Sequence, residues 1–470
     1  MERLSGLDAG FLYMETPSWH QHTLKIGIVD ASTSPGGYSF AKAKEELGRR
    51  LHLLPPFRRR VVPIPGDFHH PVWIDDPDFD IERHVFQARL PAPGGDRELD
   101  DLIGQMASQP LRRDRPLWEM WVVEGLVSGE VAFVTKVHHS IADGVAASAM
   151  LANVMSPDPD PDVPIPVERP SRRRRLPPRW ALLLEAFLDH VGQLFRLPAL
   201  LIDTAKRLRD LVVHQKASIT RTPRPILDAP RTIFNGALTP RRSFARASLP
   251  FADFREVRRH LDVTVNDVVL AVVGRAVAGW LRDRGELPTR SLLAAVPTSA
   301  DAVTDVTRLW GNNVSNLFAT LATDVADPAA QLQRIHDVMV ESKKTQELLG
   351  PQMMFNWVQY TPPGPYRWAI RQYSRFRGAD RHPPPINVIV SNVPGPRAPL
   401  YLAGARLTGL YSVGPILEGV GLNVTVWSYL DQMNFSAITC PQLIGDLHEI
   451  TDRFRGALDE LLEATSAMAG

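Results

Sequence analysis

Apolar and polar positions alternate every second residue from His22 to Val29, the period of a half-buried strand. Trp118 to Glu124 and Glu130 to Val137, the latter largely an apolar run, lie on either side of a short polar turn and read as paired strands. Between them the spacing changes to the helical period over Phe40 to Arg50 and Asp100 to Ser108. Gly144 to Met155 is a run of small residues in helical spacing directly behind the second strand of the pair. Further along, Phe251 to Leu261, Asn266 to Leu281 and Pro328 to Leu348 follow the helical period. Ser291 to Pro297 and Asn387 to Val393 are short unbroken apolar runs, each closed by proline, as expected of buried strands. Gly421 to Leu430 and Gln432 to Thr439 read as another strand pair, and Pro441 to Leu462 as a terminal helix. Strands and helices mixed in both halves predict an α/β (α+β) architecture with two sheets.

The pattern breaks once. Ser156 to Asp162 alternates proline with acid, and Arg172 to Arg175 is a basic run ahead of Pro177 and Pro178. Such a stretch cannot pack a core and reads as an exposed linker. It divides the chain into residues 1–155, a crossover over 156–225, and residues 226–470. Within the crossover Trp180, Leu184, Phe187, Val191 and Leu194 share one helical face, and Pro198 interrupts before Ala199 to Ile202 continue the apolar content. A basic cluster beside such a face fits either a segment lying in a membrane interface or a helix packed on the second half.

Length and composition narrow the function classes. At 470 residues there is room for two domains, and 44% hydrophobic with 22% charged residues is ordinary for a globular chain. The net charge of +1 gives no field to steer the chain to nucleic acid, so no nucleic-acid partner is expected. One cysteine, Cys440, excludes an internal disulfide framework and fits a reducing compartment; it reads as a buried, inert thiol. No apolar run of about 18 residues is present to span a bilayer. Met1 to Asp8 shows no basic stretch before an apolar core, so no secretory signal is expected. The expected location is cytoplasmic.

The chemistry concentrates in His138-His139-Ser140-Ile141-Ala142-Asp143-Gly144. A strand feeds a tight polar turn and then a small-residue helix, which puts an imidazole on a rigid platform. Histidine is the side chain best suited to take a proton near neutral pH. Asp143 is spaced to fix the loop, and Gly144 would allow a close approach or a backbone angle that larger residues resist. A general base acting on a hydroxyl or thiol is expected. Adjacent histidines without an HExxH spacing do not predict a metal site.

This HHxxxDG string resembles the active-site motif of the coenzyme-A-dependent acyltransferases, which include chloramphenicol acetyltransferase and peptide-synthetase condensation domains. Together with Leu7-Asp8-Ala9-Gly10-Phe11, Pro116-Leu117-Trp118, Asn266-Asp267 and Ser391-Asn392-Val393-Pro394-Gly395-Pro396, in that family's order, the chain resembles the bacterial wax ester synthase/diacylglycerol acyltransferase family. The resemblance implies a two-domain chloramphenicol acetyltransferase-like fold with an inter-domain channel. It implies transfer of a long acyl chain from acyl-CoA, a co-substrate rather than a bound cofactor, to a diacylglycerol or a fatty alcohol. His139 would then be the base, His138 its support, Asp143 a loop anchor acting through a charge contact, and Asn266 a polarising group across the channel. Asn266 is equally placed to cap its helix. Trp118 reads as core, and Ser391 to Pro396 fits a strand end and turn as well as a functional loop. Thr298 to Asp301 departs from the pattern, since a basic residue for a coenzyme A phosphate is expected after that strand. Insoluble acceptors imply peripheral contact with a membrane or lipid droplet. A condensation domain acting on carrier-protein thioesters and a silent lipid-binding protein are the readings from other classes.

Overall fold

The computed structural model describes residues 1–160, 177–218, 220–301, 308–350 and 352–467. The basic run Arg172 to Arg175 lies outside them.

Two six-stranded sheets organise the chain. The first has the order Tyr401–Leu402, Ala405–Val413, His22–Asp30, Val131–His138, Trp118–Glu124, Val85–Arg89, antiparallel except for the last pair. The second runs Val314–Thr320, Leu293–Ser299, Val388–Val393, Leu422–Tyr429, Gln432–Thr439, Ser243–Pro250, with Val388–Val393 parallel to both neighbours. Glu2–Arg3, Val72–Asp75 and Arg59–Val62 make a small third sheet. The alternating pattern at His22 to Val29 arises because this strand presents a different environment on each face. Leu24 and Ile26 pack with Val134, with Ile103 of the helix Asp96–Ser108, and with Phe244 and Ile438 from the second sheet. The opposite face carries Thr23, Lys25 and Gly27.

Ala405–Val413 is the exchange between the halves. It follows the linker by more than two hundred residues, yet it pairs antiparallel with His22–Asp30 in the first sheet. The second core is built on the helices Val265–Arg282 and Arg453–Ala467, whose Val269, Leu270, Val273, Leu458 and Leu461 are fully buried.

Four expectations change. Pro198 does not interrupt its helix: Arg179–Ala217 is one helix of 39 residues. Proline removes a single backbone hydrogen bond, and a long helix with surface on one side tolerates the resulting bend. The terminal helix starts later than Pro441, with a short turn at His448–Thr451 followed by Arg453–Ala467. Asn266 is not the cap of its helix. Thr264 caps Val265–Arg282, its hydroxyl accepting from the Asp267 amide while Asp267 accepts from the Thr264 amide, a reciprocal capping box. Gly144 has no positive φ, and a side chain there would meet only Val393 at an ordinary 3.6 Å.

Trp118 is core: it is fully buried, its ring lies 4.6 Å from both Phe57 and His84, and its indole donates to the Phe57 carbonyl at 2.8 Å. Trp118→Ala removes that packing and should cost about 3–5 kcal/mol. A urea unfolding midpoint no lower than that of the parent would contradict this.

Candidate active site

The motif loop leaves the strand Val131–His138 at the seam between the halves. His138 ends the strand, fully buried. The Ser140 amide donates to His138 Nδ1 at 3.1 Å, so the ring carries its proton on Nε2, which faces Glu15 at 3.7 Å. Burial pushes His138 below the usual histidine range, with Glu15 opposing. Burial alone would raise Glu15, but His138 and Arg113 outweigh it and hold the carboxyl well below the carboxylate range.

His139 turns the other way, as successive residues of an extended chain do. Phe11 stacks on its ring at 4.1 Å between centroids. Its Nδ1 lies 2.9 Å from Asn312 Oδ1. Asn312 Nδ2 donates to Asp8 Oδ1 at 2.7 Å and to the His139 carbonyl at 2.6 Å. Both of those partners are acceptors, so the amide cannot be turned around, and its oxygen must face the imidazole. Nδ1 therefore carries the proton and donates, and Nε2 keeps its lone pair. Among the described residues no hydrogen bond occupies that Nε2. Burial pushes His139 down to about 4, so the ring is neutral at pH 7. An oriented, neutral imidazole with an open lone pair can accept a proton from a hydroxyl.

Asp8 completes this relay. It also accepts from the Asn312 backbone amide at 2.8 Å and from the Ser5 hydroxyl at 2.7 Å. Burial raises it to about 6 against those hydrogen bonds.

Asp143 caps the helix Gly144–Val154, accepting from the Ala146 amide at 3.0 Å. Its second oxygen pairs with Arg308 at 2.6 Å and accepts from the Asn313 amide at 2.7 Å. Arg308 is shared with Asp301 at 2.9 Å, so the acid in the segment after the strand Leu293–Ser299 holds the arginine, where a basic residue was expected. Gly311 closes the seam: its amide donates to the Ile141 carbonyl at 2.6 Å, and its carbonyl accepts from the Asp143 amide at 3.3 Å. Its φ of +80° is a conformation that a side chain resists.

Two open spaces meet this loop. A narrow apolar cavity of about 50 Å³ is lined by Val137, Ala142, Ala147, Met150 and Leu151, among others; Lys25, whose Nζ donates to Ser412 at 2.6 Å, is the charged residue in its wall among the described residues. A much wider cleft of about 670 Å³ reaches Arg308, Asn312 and Asn313.

The structure brings His138, His139 and Asp143 together on one loop. Asn266 lies in the first turn of its helix, and among the described residues it has no hydrogen bond to His139. The amide against the imidazole is Asn312. It went unmarked in the sequence because its partners are about 170 and 300 residues away; only the turn-forming Gly311-Asn312-Asn313 ahead of a strand signalled a special loop. Asp8 and Phe11 stood in a recognised string without a role. No group of three or more His, Cys, Asp or Glu that could hold a metal is present among the described residues.

The wax ester synthase/diacylglycerol acyltransferase catalytic domain matches residues 4–269, and the C-terminal domain of the same family matches residues 310–462. The chain belongs to this family. A Mycobacterium tuberculosis H37Rv protein named as a diacylglycerol O-acyltransferase is 38% identical over 479 residues, covering both chains completely. A Mycobacterium bovis protein of the same name is 32% identical over 99% of each chain. The solved wax ester synthase/diacylglycerol acyltransferase of Marinobacter aquaeolei superposes with a TM-score of 0.67 and 28% identity, covering 99% of this chain and 100% of that one. The first condensation domain of the CDA synthetase shares the fold at a TM-score of 0.59 and 15% identity, covering 100% and 97%. The protein is therefore an O-acyltransferase with the two-domain fold that the motif resemblance implied.

Asp143→Ala strips a buried cap and leaves the Asn313 amide without its acceptor. It should cost about 1–3 kcal/mol and lower thermal stability measurably. An unshifted melting temperature would show that the seam does not depend on Asp143.

Proposed function

We propose that this enzyme transfers a long acyl chain from acyl-CoA to the hydroxyl of a diacylglycerol, forming triacylglycerol, with His139 as general base. The observation that carries the reading is the placement of His139. Its chain neighbours Val137 and Ala142 line a narrow cavity whose apolar walls match an acyl chain in chemistry, and its partner Asn312 lines a cleft of the size that takes a lipid-sized ligand. His139 Nε2 takes the acceptor proton as the alcohol oxygen attacks the thioester carbonyl. The tetrahedral adduct then collapses, the carbon–sulfur bond breaks, and the leaving thiolate receives the proton back from the imidazolium. No covalent enzyme intermediate is needed, and acyl-CoA serves as substrate with no resident cofactor. His138 and Asp143 position the loop. Asn312, backed by Asp8, holds the reactive tautomer. The Mycobacterium relatives carry the diacylglycerol name, and the Marinobacter name covers both acceptors. A fatty alcohol would meet the same base, which makes wax ester synthesis the alternative.

The enzyme meets these lipids peripherally. No helix among the described residues is long and apolar enough to cross a membrane. The helix Arg179–Ala217 buries Leu182, Ala186 and Leu200 yet leaves Trp180, Leu184, Phe187 and Leu194 exposed, with Val191 half-buried. Arg3 ties it to the body through Asp189 at 2.5 Å. An apolar helix face of this kind attaches reversibly to a lipid surface, at a membrane or droplet facing the cytoplasm.

Labelled palmitoyl-CoA offered to the pure protein with dioleoylglycerol should give triacylglycerol. Label appearing only in wax ester with hexadecanol would assign the other acceptor. His139→Ala should lower kcat/KM by about 10²- to 10⁴-fold without loss of thermal stability. Only a few-fold loss would remove His139 as the base.

The acid limb of kcat/KM should have two steps. His139 acts in its neutral form, so activity is lost as pH falls through about 4. Protonation of Asp8 near pH 6 weakens its acceptance from Asn312 and gives an earlier, partial loss. Asp8→Asn should abolish the upper step. A single limb near 6.5 would mean that the titrating base is not buried His139.

Leu151→Trp partly fills the apolar cavity and should shift preference toward shorter acyl-CoA chains. An unchanged chain-length profile would place the acyl chain elsewhere.

A further inference from the structure

The helix Arg179–Ala217 has two working faces. Gln193, Arg196, Ala199, Leu200 and Asp203 recur at spacings of three and four residues, so they form one stripe, and that stripe is a wall of the wide cleft. About a third of a turn from that stripe, and opposite the buried Leu182, Ala186 and Leu200, are the most exposed large hydrophobics of this helix, Phe195 at 81% and Ile202 at 72% exposure, in line with Trp180, Leu184 and Leu188. The opposite wall is the helix Gln352–Val358 with its following turn, contributing Gln352, Phe355, Asn356, Gln359 and Tyr360. The walls are clamped at two points: the Tyr360 hydroxyl donates to the Gln193 carbonyl at 3.0 Å, and Trp357 Nε1 donates to Thr204 at 2.9 Å. The floor is polar. Asn312 is the amide that holds His139, and Gln352 donates to Asn313 at 3.2 Å.

We infer that this cleft is the doorway by which a lipid alcohol passes from a membrane or droplet surface to His139. The inference rests on the acyltransferase reading above and adds the acceptor's route. The argument is geometric. A neutral two-chain lipid loses much of its favourable transfer energy if its chains must cross water. One helix that rests on lipid with one face and walls the cleft with the other removes that crossing. The wall supplies apolar contact from Ala199, Leu200, Phe355 and Tyr360 for chains, and the floor supplies amides for a glycerol and its ester carbonyls. The same helix carries six lysines and arginines against four acids. Of those acids, Glu185 and Asp189 face Arg3, and Asp203 faces Arg207, so the basic excess favours an anionic surface. The acyl chain keeps the separate apolar cavity.

The test uses the full-length enzyme with palmitoyl-CoA and vesicles of phosphatidylcholine, phosphatidylglycerol and dioleoylglycerol, with hexanol as a soluble acceptor. Ala199→Trp and Asn356→Trp narrow the cleft from opposite walls at exposed positions. Both variants should pellet with vesicles like the parent, keep the KM for palmitoyl-CoA, and lose about tenfold or more of transfer to dioleoylglycerol. Phe195→Glu with Ile202→Glu should lose vesicle binding, and with it transfer to dioleoylglycerol far more than transfer to hexanol. Val127→Trp, at an exposed hairpin remote from the cleft, is the control and should match the parent. Undiminished transfer to dioleoylglycerol in both cleft variants would overturn the doorway. So would a raised KM for palmitoyl-CoA, which would give the cleft to coenzyme A. A parent that acylates neither alcohol would overturn the acyltransferase reading itself, a result distinct from cleft variants that fail to discriminate.

Discussion

The ion pair between Asp143 and Arg308 is the constraint on which the rest of the site depends. It joins the motif loop of the first half to a segment of the second half 165 residues away. The carboxylate is almost fully buried, so leaving it unpaired would cost several times what a surface pair contributes. That asymmetry ties the register of one half to the other. Once Arg308 is in place, Gly311 bonds to the motif backbone, and Asn312 and Asn313 fall against Asp8, His139 and Asp143. The strand Ala405–Val413 strengthens the same seam by pairing across it, so the halves cannot separate without breaking a sheet.

Asn312 turns that seam into chemistry. An imidazole by itself can carry its proton on either nitrogen. Here the amide is locked by two acceptors, and its oxygen accepts the proton of Nδ1. The orientation of one side-chain amide, set by Asp8, thus decides which nitrogen is basic. Burial supplies the rest by keeping the ring uncharged. His138, one residue earlier, is held in the opposite tautomer by the Ser140 amide and faces Glu15. Two adjacent histidines of identical intrinsic chemistry are thereby differentiated by their neighbours alone.

The long helix Arg179–Ala217 packs on the body along one face, as the second reading of the crossover segment has it, and keeps an uncovered apolar face besides. Leu182, Ala186 and Leu200 pack inward, while the opposite side remains apolar and uncovered. Twelve of its 39 residues are large, exposed hydrophobics. That is a costly surface in water, and it matches the insoluble acceptors of the family.

The sequence alone determined what depends on local periodicity and on contiguous motifs. The strands at His22, Trp118 and Val131, the helix behind Gly144 and the buried strand at Val388 were legible, because burial on one face imposes a period of two or 3.6 whatever lies across the core. The histidine pair, Asp143 and the family were legible because their residues are consecutive. Tertiary structure decided what depends on residues far apart. The strand Ala405–Val413 gives no local sign that it will join a sheet formed by residues 22–138, since strand pairing is chosen by edges and cores. Asn312 shows only a turn in its own neighbourhood and nothing that points to His139, whereas the capping role open to Asn266 in the sequence falls to Thr264 in the folded helix. Pro198 was read as a break because proline forbids one local hydrogen bond, but the packing of a 39-residue helix along the body outweighs that single loss. The physical reason is the same in each case. A local pattern reports how much of a segment is buried, and only the folded chain decides against what.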